Sequence, residues 1–186
     1  MTPPPARKKA LIIGIKEVRN KAGFGPIHFA HRDARNMEAF LIAAFGYKKE
    51  DVVLMLDVAG HKKELLPTKA KMLKQIKLLV KDAAENDQFF FYYSGHGTQV
   101  TCCHNSEDDG LDEVLLAANG KGIMDNLLNE HLVKPLLNVK NTKLFALFDC
   151  CHSASMLDLQ RYSQHSTCSS ALRHMMSGVT NGIVNI

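Results

Sequence analysis

The strongest constraint on this chain is a set of uninterrupted apolar runs: Ala10-Leu11-Ile12-Ile13-Gly14-Ile15, Val52-Val53-Leu54-Met55-Leu56, Phe89 to Tyr93 and Leu144 to Phe148. A strand with one wet face alternates apolar and polar residues, whereas a continuous run belongs to a strand covered on both faces. From His31 to Phe45 the residues Ala34, Met37, Leu41, Ala44 and Phe45 recur at three- and four-residue spacing, and Gly46 follows where a helix stop belongs. After the second run, Pro67-Thr68 opens a segment that places Leu73, Ile76, Val80 and Ala83 on one helical face. Strands alternating with helices require right-handed crossovers. They predict an α/β fold with a mainly parallel sheet flanked by helices on both faces.

Residues 98–120 are rich in Asn, Asp, Glu and Gly and read as an irregular excursion or hairpin. Asp125 suits the N-cap of a helix over Leu127 to Val133, ended by Pro135. Beyond Leu157 the sequence turns polar until a short apolar end at Ile183 to Ile186. With 186 residues, 46% of them hydrophobic, the chain suffices for one core, and no internal repeat is seen. One domain is expected: a Pro-rich lead over 1–8, then a domain over 9–186 whose polar segment starts near 159.

No apolar run approaches the roughly 18 residues needed to span a bilayer, and MTPPPARKKA lacks the apolar stretch of a signal peptide. A cytoplasmic protein is expected, with the nucleus left open and no membrane partner. The net charge of +4 is mild, and the Lys62 to Lys77 segment lacks interleaved aromatics, so it reads as a solvated helix face and not a nucleic-acid site. Five cysteines with adjacent pairs at Cys102-Cys103 and Cys150-Cys151 point to reduced thiols instead of a disulfide framework.

Two apolar runs flow straight into small polar clusters, Ser94-Gly95-His96-Gly97 and Asp149-Cys150-Cys151-His152. In an open parallel sheet, loops converge beyond the carboxyl ends of the strands, and catalytic groups gather there. A thiol attacks a carbonyl as thiolate, and an adjacent imidazole both promotes ionisation and returns a proton to the leaving amine. His96 as general base and Cys151 as nucleophile would suffice for acyl transfer, with the N–H groups of Gly97 and Cys151 stabilising the oxyanion. Singly, His96 could be an ordinary turn residue and Cys151 a small buried hydrophobe. Together at two strand ends they favour catalysis.

Tyr93-Ser94-Gly95-His96-Gly97-Thr98-Gln99 resembles the histidine motif of metacaspases, and Asp149-Cys150-Cys151-His152-Ser153 their nucleophile motif, in which Cys151 is the catalytic thiol. His31-Arg32-Asp33-Ala34, Gly46-Tyr47 and Asp109-Gly110-Leu111-Asp112-Glu113 match in order, so the resemblance runs from about Lys9 to Asp158. It implies the large-subunit region of a caspase-like three-layer sandwich. It also implies a cysteine endopeptidase cleaving after Arg or Lys, with the basic side chain held by Asp33, Ser94 and Asp149. Two carboxylates accept a guanidinium or ammonium and repel the aspartate that caspases prefer.

The resemblance further implies activation by calcium on Asp112, Asp125, Asn126 and Asp158, and no organic cofactor. Asn126 stands where a second consecutive Asp is often found, Ala117-Ala118-Asn119 where a Pro and an Asp often follow the Asp-Glu pair, and Ala154 where a Gly is frequent. Without the resemblance, Asp33 reads as a surface residue of a first helical turn and Asp149 as a loop-start acceptor.

Metacaspases carry a further small-subunit region that this chain is expected to lack. The competing reading is therefore a caspase-like interaction module, non-cleaving or dependent on a small-subunit (p10-like) partner, since an open sheet edge invites strand pairing. Zinc on Cys102-Cys103-His104 and Cys150-Cys151-His152 fits poorly, because structural zinc sites separate their cysteines by about two to four residues. Arg161 and Arg173 are candidate points of self-processing of a zymogen. A monomer acting on protein substrates, in cell death or in proteostasis, completes the expectation.

Overall fold

A computed structural model describes residues 6–19, 23–101, 111–150 and 183–185. The apolar runs form β1 (Lys8–Gly14), β2 (Val52–Leu56), β3 (Gln88–Ser94) and β7 (Lys143–Asp149). They pair in parallel, and β8 (Ile183–Asn185) adds antiparallel to β7 at residues 145–147, giving the order β2-β1-β3-β7-β8. Helix α1 (Ala30–Phe45) lies between β1 and β2, and α2 (Lys69–Val80) between β2 and β3.

Alternation along the strands sends successive side chains into two cores. Ala10, Ile12, Phe90, Tyr92 and Leu147 pack with Ala34, Met37 and Leu41 of α1. Leu11, Ile13, Phe89, Phe91, Tyr93, Ala146 and Phe148 pack on the other face with Met72, Ile76 and Leu79 of α2. Both faces are apolar, so the strands read as continuous runs. Gly14 lets α1 approach closely, since a Cβ there would stand 2.7 Å from the Ala30 carbonyl oxygen and 2.8 Å from the Ala34 Cβ. Gly46 ends α1 in the left-handed region at φ 67°, with its N–H donating to Leu41 C=O, as the sequence predicts.

The excursion after β3 is an antiparallel three-stranded sheet of β4 (Gly97–Thr101), β5 (Leu111–Leu116) and β6 (Gly122–Met124). Three expectations shift. On α2 the buried stripe is Met72, Ile76, Leu79 and Val80, while Leu73 and Ala83 are only half-buried against the same core. Met124, not Asp125, caps the next helix, and no side chain bonds that cap; Asp125 is the first residue of α3 (Asp125–Leu128). Pro135 does not stop a long helix either, because a wide π turn over Asn129–Val133 and a 3₁₀ turn over Lys134–Leu136 already follow α3, and Pro135 sits where the missing N–H costs nothing. Among the described residues no helix is long and apolar enough to cross a membrane.

Candidate active site

The parallel register brings the carboxyl ends of three strands level, with Gly14 opposite Ser94 and Ser94 opposite Asp149. Ser94 and Asp149 face the α1 side of the sheet, where Ser94 Oγ donates to Asp149 Oδ2 at 3.4 Å and Tyr92 Oη donates to the same oxygen at 3.1 Å. Asp33, on the first turn of α1, completes the cluster electrostatically. Burial, with the added negative charge of Asp33, holds Asp149 above the ordinary carboxylate range against the two hydroxyl donors. Ser94 and Asp149 therefore share one face and one level, and Asp33 reaches Asp149 from the first turn of α1 through its charge. Asp33 keeps a side-chain exposure of 33% and contacts the Arg32 guanidinium at 3.2 Å.

His96 lies between β3 and β4 and is held by its backbone and by its ring. Leu116 N–H donates to His96 C=O at 2.9 Å, and the fully buried Tyr93 hydroxyl stands 2.8 Å from that carbonyl and 2.9 Å from Leu116 C=O. Burial drives the Tyr93 phenol well up, so it stays a neutral donor. Gly95 is needed for this arrangement, because a Cβ there would stand 2.5 Å from the Tyr93 hydroxyl oxygen. On the ring, Nε2 lies 2.6 Å from Gly25 C=O, and the Phe24 ring meets the imidazole edge-on at 5.0 Å. A carbonyl only accepts, so Nε2 carries the proton and Nδ1 is the nitrogen left to act as base. The Leu116–His96 bond makes Gly97 and Leu115 a non-hydrogen-bonded pair, which directs the Gly97 N–H away from β5.

Cys150 is half-buried and packs against the core on the Tyr93 side, near enough for its charge to bear on that phenol. Cys151 lies outside the described residues, as do Asp158, Cys102, Cys103, His104, Arg161 and Arg173.

The acidic positions of the three-stranded sheet are strongly buried, with Asp112, Glu113 and Asp125 exposed by 2%, 3% and 0%. Burial, followed by the charges of Asp112 and Glu113, pushes Asp125 up to about 6. Asp112 Oδ1 and Asp125 Oδ2 have no hydrogen-bond partner among the described residues. Buried oxygens of this kind cost free energy unless a cation or proton meets them, so their chemistry fits a hard divalent ion. Asn126 is exposed, and its N–H donates to Asp125 Oδ1 at 2.6 Å. Among the described residues no three His, Cys, Asp or Glu side chains converge into a metal site.

Sequence reasoning missed Tyr92, Phe24 and Gly25. Tyr92 reads as one more aromatic of a buried strand, and the Gly25 carbonyl acts through its backbone, 71 positions from His96.

A parallel sheet sandwiched by helices, with an oriented histidine past one central strand and an acidic, hydroxyl-bearing cluster across two strand ends, defines the caspase-like class of α/β fold. The Drosophila initiator caspase Dronc shares it at a TM-score of 0.51 over 91% of this chain and 62% of its own, at 10% identity. Protein GSU0716 from Geobacter sulfurreducens superposes with a TM-score of 0.60 over 78% of this chain and 50% of that one, at 28% identity. The family model of the metacaspase, peptidase C14 domain, matches residues 8–160. Metacaspase-1A of Neurospora crassa is 41% identical over 156 residues, 82% of this chain and 33% of that protein. Metacaspase-1 of Cryptococcus neoformans is 40% identical over 157 residues, again 82% and 33%. The chain belongs to the metacaspase family of cysteine peptidases, and it spans about a third of the length of these curated relatives.

Proposed function

We propose that this chain carries the catalytic centre of a cysteine endopeptidase that cleaves proteins after Arg or Lys. The observation that carries the reading is the level pairing of Ser94 with Asp149 on the α1 side of the sheet, where the charge of Asp33 reaches Asp149; the two stand two residues before His96 and two residues before Cys151. A basic side chain entering beside Asp33, Ser94 and Asp149 meets two carboxylates and a hydroxyl, and its scissile carbonyl is then presented between His96 and Cys151.

The Cys151 thiol gives its proton to His96 Nδ1, and the thiolate attacks the carbonyl carbon, forming a C–S bond while the π electrons move to oxygen and the oxyanion accepts from the N–H groups of Gly97 and Cys151. His96 gives the Nδ1 proton to the leaving amine as the C–N bond breaks. It then takes a proton from water, which attacks the thioester and releases the acid and the thiol. Cys150 packs against the core, which supports Cys151 as the nucleophile. Calcium held by Asp112, Asp125, Asn126 and Asp158 would neutralise the buried carboxylates and stabilise the β5–β6 region. Self-cleavage after Arg161 or Arg173 is part of the same reading, read out as mass-spectrometric fragments in active protein only.

The test is hydrolysis of fluorogenic peptides ending in Arg, Lys or Asp, with calcium or chelator, comparing the chain with Cys151→Ala. Turnover of the Arg and Lys peptides alone, raised by calcium and abolished in the variant, is expected. No turnover of any peptide would sink the reading in favour of a partner-dependent or non-cleaving interaction module, for which β8 supplies the motive, because among the described residues it covers β7 at residues 145–147 alone.

A further inference from the structure

Asp57 takes no part in the chemistry above, yet three donors converge on its carboxylate. Lys16 N–H donates to Oδ1 and Glu17 N–H to Oδ2, each at 2.8 Å, and His31 Nε2 stands 2.5 Å from Oδ1. The Asp57 side chain is only 9% exposed. Lys16 and Glu17 lie just beyond β1, and Lys16 C=O accepts from Ile27 N–H at 2.9 Å, which closes the base of the loop whose far side presents Phe24 and Gly25 to His96.

We propose that Asp57 is a positioning residue for His96. By fixing the base of this loop it sets where the Gly25 carbonyl and the Phe24 ring stand, and through them the orientation of the imidazole. The kinetic consequence rests on the peptidase reading; the structural one does not.

Three observations single out Asp57. Among the described residues of the loop, Phe24 packs on the core, whereas a Cβ built on its neighbours Gly23 or Gly25 would meet nothing within 4 Å, so the backbone that carries the Gly25 carbonyl takes its place chiefly from the base. A cavity of about 250 Å³ lined by Arg19, Asp57, His61, Thr68 and Asn119 borders the base, so side-chain packing does not fill that flank either. Finally, two adjacent backbone N–H groups each meet their own oxygen, which a carboxylate supplies and an amide, with one acceptor, does not. The Arg19 N–H to Ala118 C=O bond at 3.0 Å is a further anchor, so removing Asp57 loosens the loop without freeing it. His31 belongs to the first turn of α1, and the same carboxylate therefore ties the loop to the helix that carries Asp33.

The test uses Asp57→Asn and His31→Gln in the full chain. On an Arg peptide, Asp57→Asn is expected to lower kcat about 10- to 100-fold, the scale of a small misplacement of a catalytic group, with KM held within about threefold. His31→Gln, which leaves both backbone bonds to Asp57, is expected to lose less than about tenfold. In the Cys151→Ala background the NMR signals of the His96 ring nitrogens should move in Asp57→Asn while those of His131 stay. Folded Asp57→Asn with kcat within about twofold of wild type, or with the whole loss in KM, would overturn the proposal. Unmoved His96 ring signals overturn it regardless of activity. Wild type without turnover would defeat the peptidase reading and leave the ring signals to decide. Should Asp57→Asn not fold, Asp57→Glu, which keeps the charge but displaces both oxygens from the Lys16 and Glu17 N–H groups, must move those signals or the proposal falls.

Discussion

Tyr93 offers a single hydroxyl proton to the carbonyls of His96 and Leu116, and Gly95 exists to let it do so. Tyr93→Phe keeps the ring and removes the tether, so it should destabilise by about 1–2 kcal/mol and lower kcat more than it raises KM, checked by denaturant melts and steady-state kinetics. Gly95→Ala should be the more damaging change in the wild-type background and only partly relieved by Tyr93→Phe, because the ring Cζ, 2.7 Å from that Cβ, remains; a double-mutant cycle measures the coupling. Asp149 carries a different prediction. Burial and Asp33 raise it, so on acidification it takes up a proton before an ordinary carboxylate does, and a cationic side chain loses its partner at a pH above the usual value of about 3.9. KM for an Arg peptide should therefore climb as pH falls from neutrality towards that value, and Asp149→Asn should raise KM at pH 7 and flatten the dependence.

At the scale of elements, the strands were legible because burial on both faces leaves a signature that few other structures share. Val52–Leu56 falls where the apolar run lies, and α1 begins within a residue of its periodic stretch. The three-stranded sheet was readable only as an excursion, since β5 carries Asp112 and Glu113 inside the protein, where a sequence reader expects solvent. Asp125 looked like a cap for the same reason, since an acidic residue before an apolar run has cap chemistry whether it stands at the cap or one position inside. The grouping of Asp33 with Ser94 and Asp149 was legible through family resemblance alone, and the Gly25–His96 contact not at all, because backbone carbonyls leave no mark on sequence. For Asp125 the sign is clear. Its folded-state value of about 6 lies above the ordinary one, so its contribution to stability is present in acid and lost as pH rises through about 6. In chelator at pH 7, Asp125→Asn should melt higher than wild type by roughly 2–4 °C for each kcal/mol recovered. The gain should vanish near pH 4, and calcium should stabilise wild type alone.

Across the whole molecule, the groups that hold the sheet together at one end are separated from those at the other. At the amino ends of β1 and β3, the Asp87 carboxylate is 1% exposed and accepts from the Arg7 backbone, from the Arg7 guanidinium at 2.6 Å and from Ala84 N–H at 2.9 Å. Burial opposes its ionisation, but these donors prevail and hold it below the ordinary range. The stability this provides is present above the unfolded value of about 3.9 and is lost as pH falls through the folded one. Asp87→Ala should cost about 2–3 kcal/mol at pH 7, a difference that narrows in acid unfolding experiments, while kcat per folded molecule stays that of wild type.

Strand β5 has a consequence of its own. One end holds the carbonyl and N–H that secure Tyr93 and His96, and four residues away, about 13 Å along an extended strand, the same strand carries Asp112 beside Asp125. Two loads on one stiff rod obey reciprocity: if occupation of the acidic end tightens the histidine end, occupation of the histidine end must tighten the acidic one by the same factor. A reversible inhibitor seated against His96 should then sharpen calcium affinity as much as calcium sharpens inhibitor binding. Calorimetric titration in both orders would show that symmetry or its absence.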